Sequence, residues 1–322
     1  MKAAVYYETG PPSVFRYEDV ADPVCAPDGV VIDVAAVSIE GGDVLGRAGG
    51  ELANKPHIVG YQCAGTVREV GANAADRAVG QRVVAVMANG SHAAAVAVPA
   101  NATWLVPDGL ELQQAACVPV PWGTADDCLF EFGHLKAGET VLIQAGAGGV
   151  GLAAIQLAKR AGARVLATAS SDARLERLKE FGLDHGINYA TGNFVEEARR
   201  LTDGRGVDLV LDSVGGKTLQ GSIESLAYRG RAITVGRAGR DEALPDVSAL
   251  GPGNRSLTGV FLGAEFALQP DRTRAMIDRH LADIAKGELR VVVDRTYPLA
   301  EAADAHAYIE SRQAFGRVLL IP

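Results

Sequence analysis

Apolar residues recur with two different rhythms along the chain. Up to about residue 120 they fall in short β-type runs broken by glycine and proline, such as Val30 to Val37, Gly65 to Val70 and a run ending at Met87. The first twenty residues read as a strand followed by a Gly-Pro-Pro turn. From about Gly138 the pattern becomes strand, glycine turn, helix, repeated: TVLIQ, VGLAAIQLAKRAGA, RVLATA, DARLERLKEFG, VDLVLDSVGG and RAITVG follow one another. That alternation predicts a parallel sheet covered by helices on both faces, beside a compact, mostly β domain. A helix is expected from about Arg272 to Lys286, with Met276, Ile277, His280, Leu281 and Ile284 on one face and Gly287 as its stop. A strand RVVVD, a short helix around Ala300 to Glu310 and a closing strand RVLLIP complete the pattern. Periodicity leaves open whether they extend the parallel sheet or return to the first domain.

Composition narrows the class. With 322 residues, 48% hydrophobic and 22% charged, the chain can fill two domain cores. A net charge of -8 without clustered Lys and Arg argues against nucleic acid or anionic lipid as partners. No run approaches membrane-spanning length, and the N-terminus lacks the apolar centre of a signal peptide. Cys25, Cys63, Cys117 and Cys128 are far apart with no Cys-x-x-Cys spacing, so neither a disulfide framework nor a four-thiolate zinc site is expected; a reducing cytoplasm suits the chain.

Gly146, Gly148 and Gly151 form a G-x-G-x-x-G between the strand Thr140 to Gln144 and a helix carrying Val150, Leu152, Ile155 and Leu157 at helical spacing. In that setting the glycines serve a tight turn, close approach to a pyrophosphate and close helix-strand packing, and the helix N-terminus offers amide hydrogens to the anion. A carboxylate at the end of the second strand would hold a free ribose 2'-hydroxyl and repel a 2'-phosphate. Here Ala169, Ser170 and Ser171 stand at that end, Asp172 is the first acid and Arg174 can pair with phosphate, which favours NADP(H). Ser171 or Asp172 can also cap the following helix.

With these motifs in order, from MKAAVYYETGPP through VGYQCAGTVREVG, GQRVVAV and IQAGAGGVGLAAIQLAKRAGARVLATASS to DHGINY, VDLVLDSVGG and FGRVLLIP, the chain resembles the medium-chain dehydrogenase/reductases. Within them it is similar to the zinc-independent quinone oxidoreductases that include zeta-crystallin-like proteins. The resemblance implies a GroES-like, mostly β catalytic domain of residues 1–120 completed by 261–322, around a Rossmann domain of residues 121–260. It implies Gly148, Gly149, Val150 and Gly151 at the pyrophosphate, Ser170 and Arg174 around the 2'-phosphate, and Tyr189 near the adenine-side ribose or phosphate. Ser213, Val214, Gly236 and Arg237 would approach adenine, ribose or nicotinamide, and Phe261 and Leu262 the nicotinamide amide. A homodimer is implied as well.

Metal-binding relatives carry a cysteine where this chain has Glu40, and histidine and glutamate where it has Tyr61 and Gln62. A tyrosine and a neutral amide are poor zinc ligands, and Glu40 alone cannot build an open three-ligand site, so no metal is expected. His57 and Cys63 then read as packing residues. Many members have asparagine at the Glu40 position and a tyrosine shortly after Asp43, and both are absent here. Tyr61 is the candidate proton donor or carbonyl hydrogen-bond partner and Glu40 a candidate for polar positioning, though both could simply fill the vacated pocket. Asp126 and Asp127, after Thr124, read as acids in the first turn of a helix rather than as a catalytic pair. The expected activity is NADPH-dependent reduction of quinones or other α,β-unsaturated carbonyls without a metal. The alternatives are an enoyl-thioester reductase of lipid or polyketide metabolism and an NADPH-binding protein with little turnover.

Overall fold

The computed structural model describes residues 1–322, which divide into two compact units: Met1–Val120 with Arg274–Pro322, and Pro121–Thr273. The first unit contains strands β1 (Lys2–Val5), β2 (Arg16–Asp19), β3 (Gly29–Ser38), β4 (Gln62–Val70), β5 (Arg82–Val86), β6 (Ala95–Pro99) and β7 (Thr103–Leu105). The second contains β8 (Thr140–Ile143), β9 (Arg164–Ala169), β10 (His185–Asn188), β11 (Val207–Asp212), β12 (Leu226–Thr234) and β13 (Ser256–Gly259). The chain then returns to the first unit as β14 (Val293–Pro298) and β15 (Arg317–Ile321).

In the first unit the sheet runs β14-β15-β3-β4-β5-β7, with β6 also paired to β3. Strand β3 is long enough to take β6 along Gly29–Asp33 and β15 at Val37 and Ser38, while β4 lines its other edge. The tail is therefore part of this core: Leu299, Ala302, Ala305, Val318 and Leu320 pack with Ile32, Val67 and Val96. The expected strand at residues 290–294 is displaced, because the parallel register begins with Val293 opposite Arg317 and continues to Pro298. The preceding helix spans Pro270–Ala285 with its five expected apolar-face residues buried, and Gly287 follows at φ +77°.

In the second unit all six strands are parallel in the order β10-β9-β8-β11-β12-β13, as expected of a doubly wound sheet. Helices Gly149–Arg160, Asp172–Lys179, Phe194–Arg200 and Gly216–Glu224 form the crossovers. Val141, Leu142, Ile143, Val165, Leu166, Leu209, Val210 and Leu211 are solvent-free, which a sheet covered on both faces requires. Residues 261–273 lie with this unit rather than with the first: Arg272 bonds Asp127 at 2.6 Å and Glu265 at 2.7 Å. The expectation for Asp126 and Asp127 needs correction, since they fall at the end of the helix Pro119–Asp126 and the start of a wider turn, not in a first turn. The buried Asp127 is neutralised there by Arg272 instead of by a helix N-terminus. No helix is long and apolar enough to cross a membrane.

A buried histidine pair marks the first unit. His92 Nε2 and His306 Nε2 are 3.1 Å apart, Phe15 packs on both rings, and His306 Nδ1 has no partner. One ring must donate and the other accept, and burial disfavours a charge on either. Burial pushes His92 down to about 3, and burial, His92 and Arg47 hold His306 well below the ordinary range. The unfolded chain thus binds more protons than the folded one below about pH 6.5, and the pair's contribution, complete above that pH, is lost as pH falls. Glu40 and Asp43, raised by burial, act in the opposite direction, so the signature lies in a comparison. Between pH 7 and 5 the wild type should lose about 2–4 kcal/mol more unfolding free energy than a His92→Gln/His306→Gln variant in urea titrations.

Candidate active site

The carboxyl ends of the parallel strands gather the residues expected to hold a dinucleotide. After β8 comes the glycine turn; Gly146 N–H donates to Thr168 O at 2.8 Å and Gly148 N–H to Ala145 O at 3.0 Å. The left-handed residue of this turn is Ala145, at φ +53°, not the first glycine. Gly146 is needed for space instead: a Cβ there would lie 2.9 Å from Ala167 and 3.0 Å from Leu178. At Gly151 a Cβ would meet Ala145 O at 2.5 Å, so the helix can start this close to its turn only without a side chain. At Gly148, by contrast, a Cβ would meet only Ala145 O, at 3.4 Å, an ordinary contact, and the residue caps helix Gly149–Arg160 without a side-chain acceptor on the first amides. Gly148, Gly149, Val150 and Gly151 therefore form a backbone cradle that fits a pyrophosphate.

Ser170 follows β9, and Ser171 caps the next helix by accepting Arg174 N–H at 3.4 Å. Asp172, the acid that bears on cofactor choice, accepts from Asn188 Nδ2 at 2.9 Å. Tyr189 follows β10 and donates its backbone N–H to Ala169 O at 3.2 Å, which sets it beside Ser170. Past β11 and β12 the loops run together: Ala238 N–H donates to Ser213 O at 3.0 Å and Gly239 N–H to Val214 O at 2.9 Å, with Gly236 at φ +79° and Arg237 between. Phe261 and Leu262 follow β13, the first largely exposed and the second buried.

A buried polar chain ties these loops together, and the sequence reading missed it. Asp212, wholly buried, accepts from Val214 N at 2.8 Å, Gly215 N at 2.9 Å and Ser222 Oγ at 2.7 Å. Ser222 Oγ accepts from Gln144 Nε2 at 3.1 Å, Gln144 Oε1 accepts from Thr168 Oγ1 at 2.7 Å, and Thr168 Oγ1 accepts from Ala145 N at 3.1 Å. The strained Ala145 is held by the last link. A polar residue closing each apolar strand, Gln144, Thr168 and Asp212, was the available signal.

The first unit holds a second constellation, around helix Gly41–Gly49. Glu40 precedes that helix, is 4% exposed, and its carboxylate takes hydrogen bonds from Gln62 Nε2 and the Arg317 guanidinium. Arg317 also donates to Ser38 Oγ from Nε at 3.0 Å and Nη2 at 2.8 Å, and Gln62 Oε1 accepts Val120 N–H at 3.0 Å. Burial pushes Glu40 up to about 7 even against Arg317. Tyr61 Oη lies 2.7 Å from where a Gly42 Cβ would stand, so that glycine makes room for the phenol. Burial first, then Asp43 and Glu40, hold the Tyr61 proton on, while Arg317 and the Gly42 amide in the first helical turn oppose them. His57 and Cys63 are buried, with Tyr6 packed on the His57 ring at 5.1 Å.

This donor set does not fit zinc. The one carboxylate is bonded to a guanidinium, its neighbours are a phenol and an amide, and no three His, Cys, Asp or Glu side chains gather to hold a metal. Arg317 is the residue the sequence reading overlooked here; a lone cation opening the apolar strand RVLLI was its only signal.

Residues 149–282 match the zinc-binding dehydrogenase family and residues 26–108 the alcohol dehydrogenase GroES-like domain. The 2-haloacrylate reductase of a Burkholderia species is 33% identical over 337 residues, 99% of this chain and 98% of the relative. Phthioceranic/hydroxyphthioceranic acid synthase of Mycobacterium tuberculosis is 36% identical over 298 residues, 91% of this chain, and the chain spans 14% of that protein's length. The crystal structure of Escherichia coli quinone oxidoreductase complexed with NADPH superposes with a TM-score of 0.95 at 27% identity, covering 100% of each chain.

The glycine geometry makes a direct prediction. Gly151→Ala forces a methyl group against Ala145 O and should cost about 1–3 kcal/mol, read as a lower thermal midpoint, together with weaker dinucleotide binding by fluorescence titration. Gly148→Ala, whose methyl makes only an ordinary contact with Ala145 O, should leave the midpoint nearly unchanged.

Proposed function

The chain belongs to the medium-chain dehydrogenase/reductase superfamily, with the quinone oxidoreductases, and from that membership we propose a metal-independent reductase of quinones or other α,β-unsaturated carbonyl compounds. The cofactor is NADP(H), as in the superposable quinone oxidoreductase. One observation carries the reading: every residue expected at the dinucleotide stands in a loop or the first turn of a helix that follows a strand of one parallel sheet, at the carboxyl edge where such sheets bind ligands.

When bound, the reduced nicotinamide supplies the hydride. The chain's own residues bind and orient. Gly148 to Gly151 receive the pyrophosphate, Ser170 and Arg174 the 2'-phosphate, and Tyr189, Ser213, Val214, Gly236, Arg237, Phe261 and Leu262 the remaining groups. Asp172 sits close to the proposed phosphate position, but its carboxylate is engaged by Asn188, which supports NADP(H) over NAD(H). Tyr61 is the proton donor to the reduced acceptor. The Gly42 amide favours the phenolate left after transfer, and the helix N-terminus adds to that preference. Glu40 is occupied by internal partners and holds the pocket rather than the substrate. A conjugated acceptor spreads the arriving negative charge over several atoms, so it needs no Lewis acid at a single oxygen.

The 36% identity to a segment of an acid synthase favours a second reading, an enoyl-thioester reductase with the same cofactor and hydride chemistry. Initial rates with benzoquinone, cyclohexenone and a crotonyl thioester separate the two. Turnover confined to the thioester would establish the second, and tight NADPH binding with no turnover on any acceptor would remove both. Arg174→Ala should raise the KM for NADPH about ten-fold or more and leave that for NADH within about two-fold. Tyr61→Phe should lower kcat/KM by about 100-fold on the preferred acceptor, and full retention would take the acid out of the scheme.

A further inference from the structure

We propose that Arg317 is the resident cation of the first unit's pocket, standing in for a divalent metal and serving as a positioning residue for Tyr61. The proposal rests on the reading of Tyr61 as proton donor and adds the group that governs it.

The placement comes from the sheet. In β15, Leu319 pairs with Ser38 and Leu320 with Val37, so Arg317 enters beside the end of β3. From there its guanidinium grips consecutive residues: Ser38 Oγ through Nε and Nη2, Ile39 O through Nη2, and the Glu40 carboxylate. These residues lead directly into helix Gly41–Gly49. A planar fork of donors can hold several acceptors in a fixed arrangement, which an ammonium cannot.

From Glu40 the effect reaches Tyr61 in one helical turn. Glu40 N–H donates to Asp43 Oδ2 at 2.8 Å and closes that turn, and the turn presents Gly42 against the Tyr61 phenol. After burial itself, Asp43 and Glu40 both discourage the phenol from releasing its proton, whereas Arg317 is the one cation acting on it in the opposite sense. Arg317 therefore fixes where the phenol sits and offsets the charges that would keep its proton in place. Its side chain is about as buried as its partner's, and removing one member alone would leave an uncompensated buried charge. The same guanidinium closes the pocket to metal ions, because the carboxylate a metal would need already faces a positive group.

The test uses Glu40→Gln/Arg317→Met, which removes both charges at similar volume, and Arg317→Lys, each made with Tyr61 intact and with Tyr61→Phe. Thermal midpoints establish folding. With NADPH and the preferred acceptor, the charge-free variant should keep its KM for NADPH within about two-fold, lose about 10- to 100-fold in kcat, and show a larger slowing in D2O than the wild type. Arg317→Lys should recover part of the loss. In the Tyr61→Phe background the charge-free pair should cost less than about two-fold more, since both act on one proton transfer. Wild-type kcat in the charge-free variant, or an undiminished loss without the Tyr61 hydroxyl, would overturn the proposal. A fully active Tyr61→Phe single variant would instead remove the proton-donor reading, and Arg317's role through it. About one zinc per wild-type chain after dialysis would contradict the resident cation directly.

Discussion

A parallel strand cannot turn straight back beside its neighbour. It must cross over, here through a helix or a longer loop, and so every strand of the second unit ends at the same edge as the others. That constraint does most of the work of building a dinucleotide site. Residues as distant in sequence as Gly148 and Phe261 come to one edge because each follows a strand of the same direction. What the topology does not supply is precision. The buried chain from Asp212 through Ser222, Gln144 and Thr168 to Ala145 supplies it, by locking the glycine turn to the loop after β11 with hydrogen bonds in a region closed to water. In such surroundings an unmet donor or acceptor is costly, so the network favours one arrangement of the loops over others.

The first unit solves a different problem, a polar pocket beside an apolar sheet. Burying Glu40 and Arg317 separately would be prohibitive, and together they form a neutral pair whose remaining hydrogen-bonding capacity is taken by Ser38, Ile39 and Gln62. Such a pair contributes little to net stability compared with packed apolar side chains, which points to specificity as the reason it is kept. The tail strand β15 brings Arg317 to β3, so the same pairing that completes the hydrophobic core also completes the pocket.

Much of this was legible in the sequence, and the reason is local. G-x-G-x-x-G, the strand before it and the apolar stripe after it lie within about twenty residues, and each feature has one inexpensive conformation. The helix carrying Met276, Ile277 and Leu281 was readable for the same reason. The failures share the opposite property. Arg317 and Glu40 are 277 positions apart, and nothing near either announces the other. Asp126 and Asp127 looked like first-turn acids because Thr124 precedes them, but the helix begins earlier, at Pro119, and a distant arginine supplies the compensating charge. Ala145 adopts a conformation that its residue type disfavours, and only the hydrogen bond from its amide to Thr168 explains it.

The chemistry of the pocket also bears on which reactions it can serve. In metal-assisted oxidation of a simple alcohol, a cation at the alcohol oxygen stabilises the alkoxide, whose charge sits on one atom. The Arg317 guanidinium is not free for such an oxygen, because its donors are spent on Ser38, Ile39 and Glu40. A phenol that burial keeps protonated, with a buried cation opposing that hold, suits the reverse direction, where a delocalised anion needs only a late proton. On the proposed reading, a pocket built from Glu40, Tyr61, Gln62 and Arg317 serves to finish a reduction after hydride arrives rather than to stabilise an oxyanion before hydride leaves.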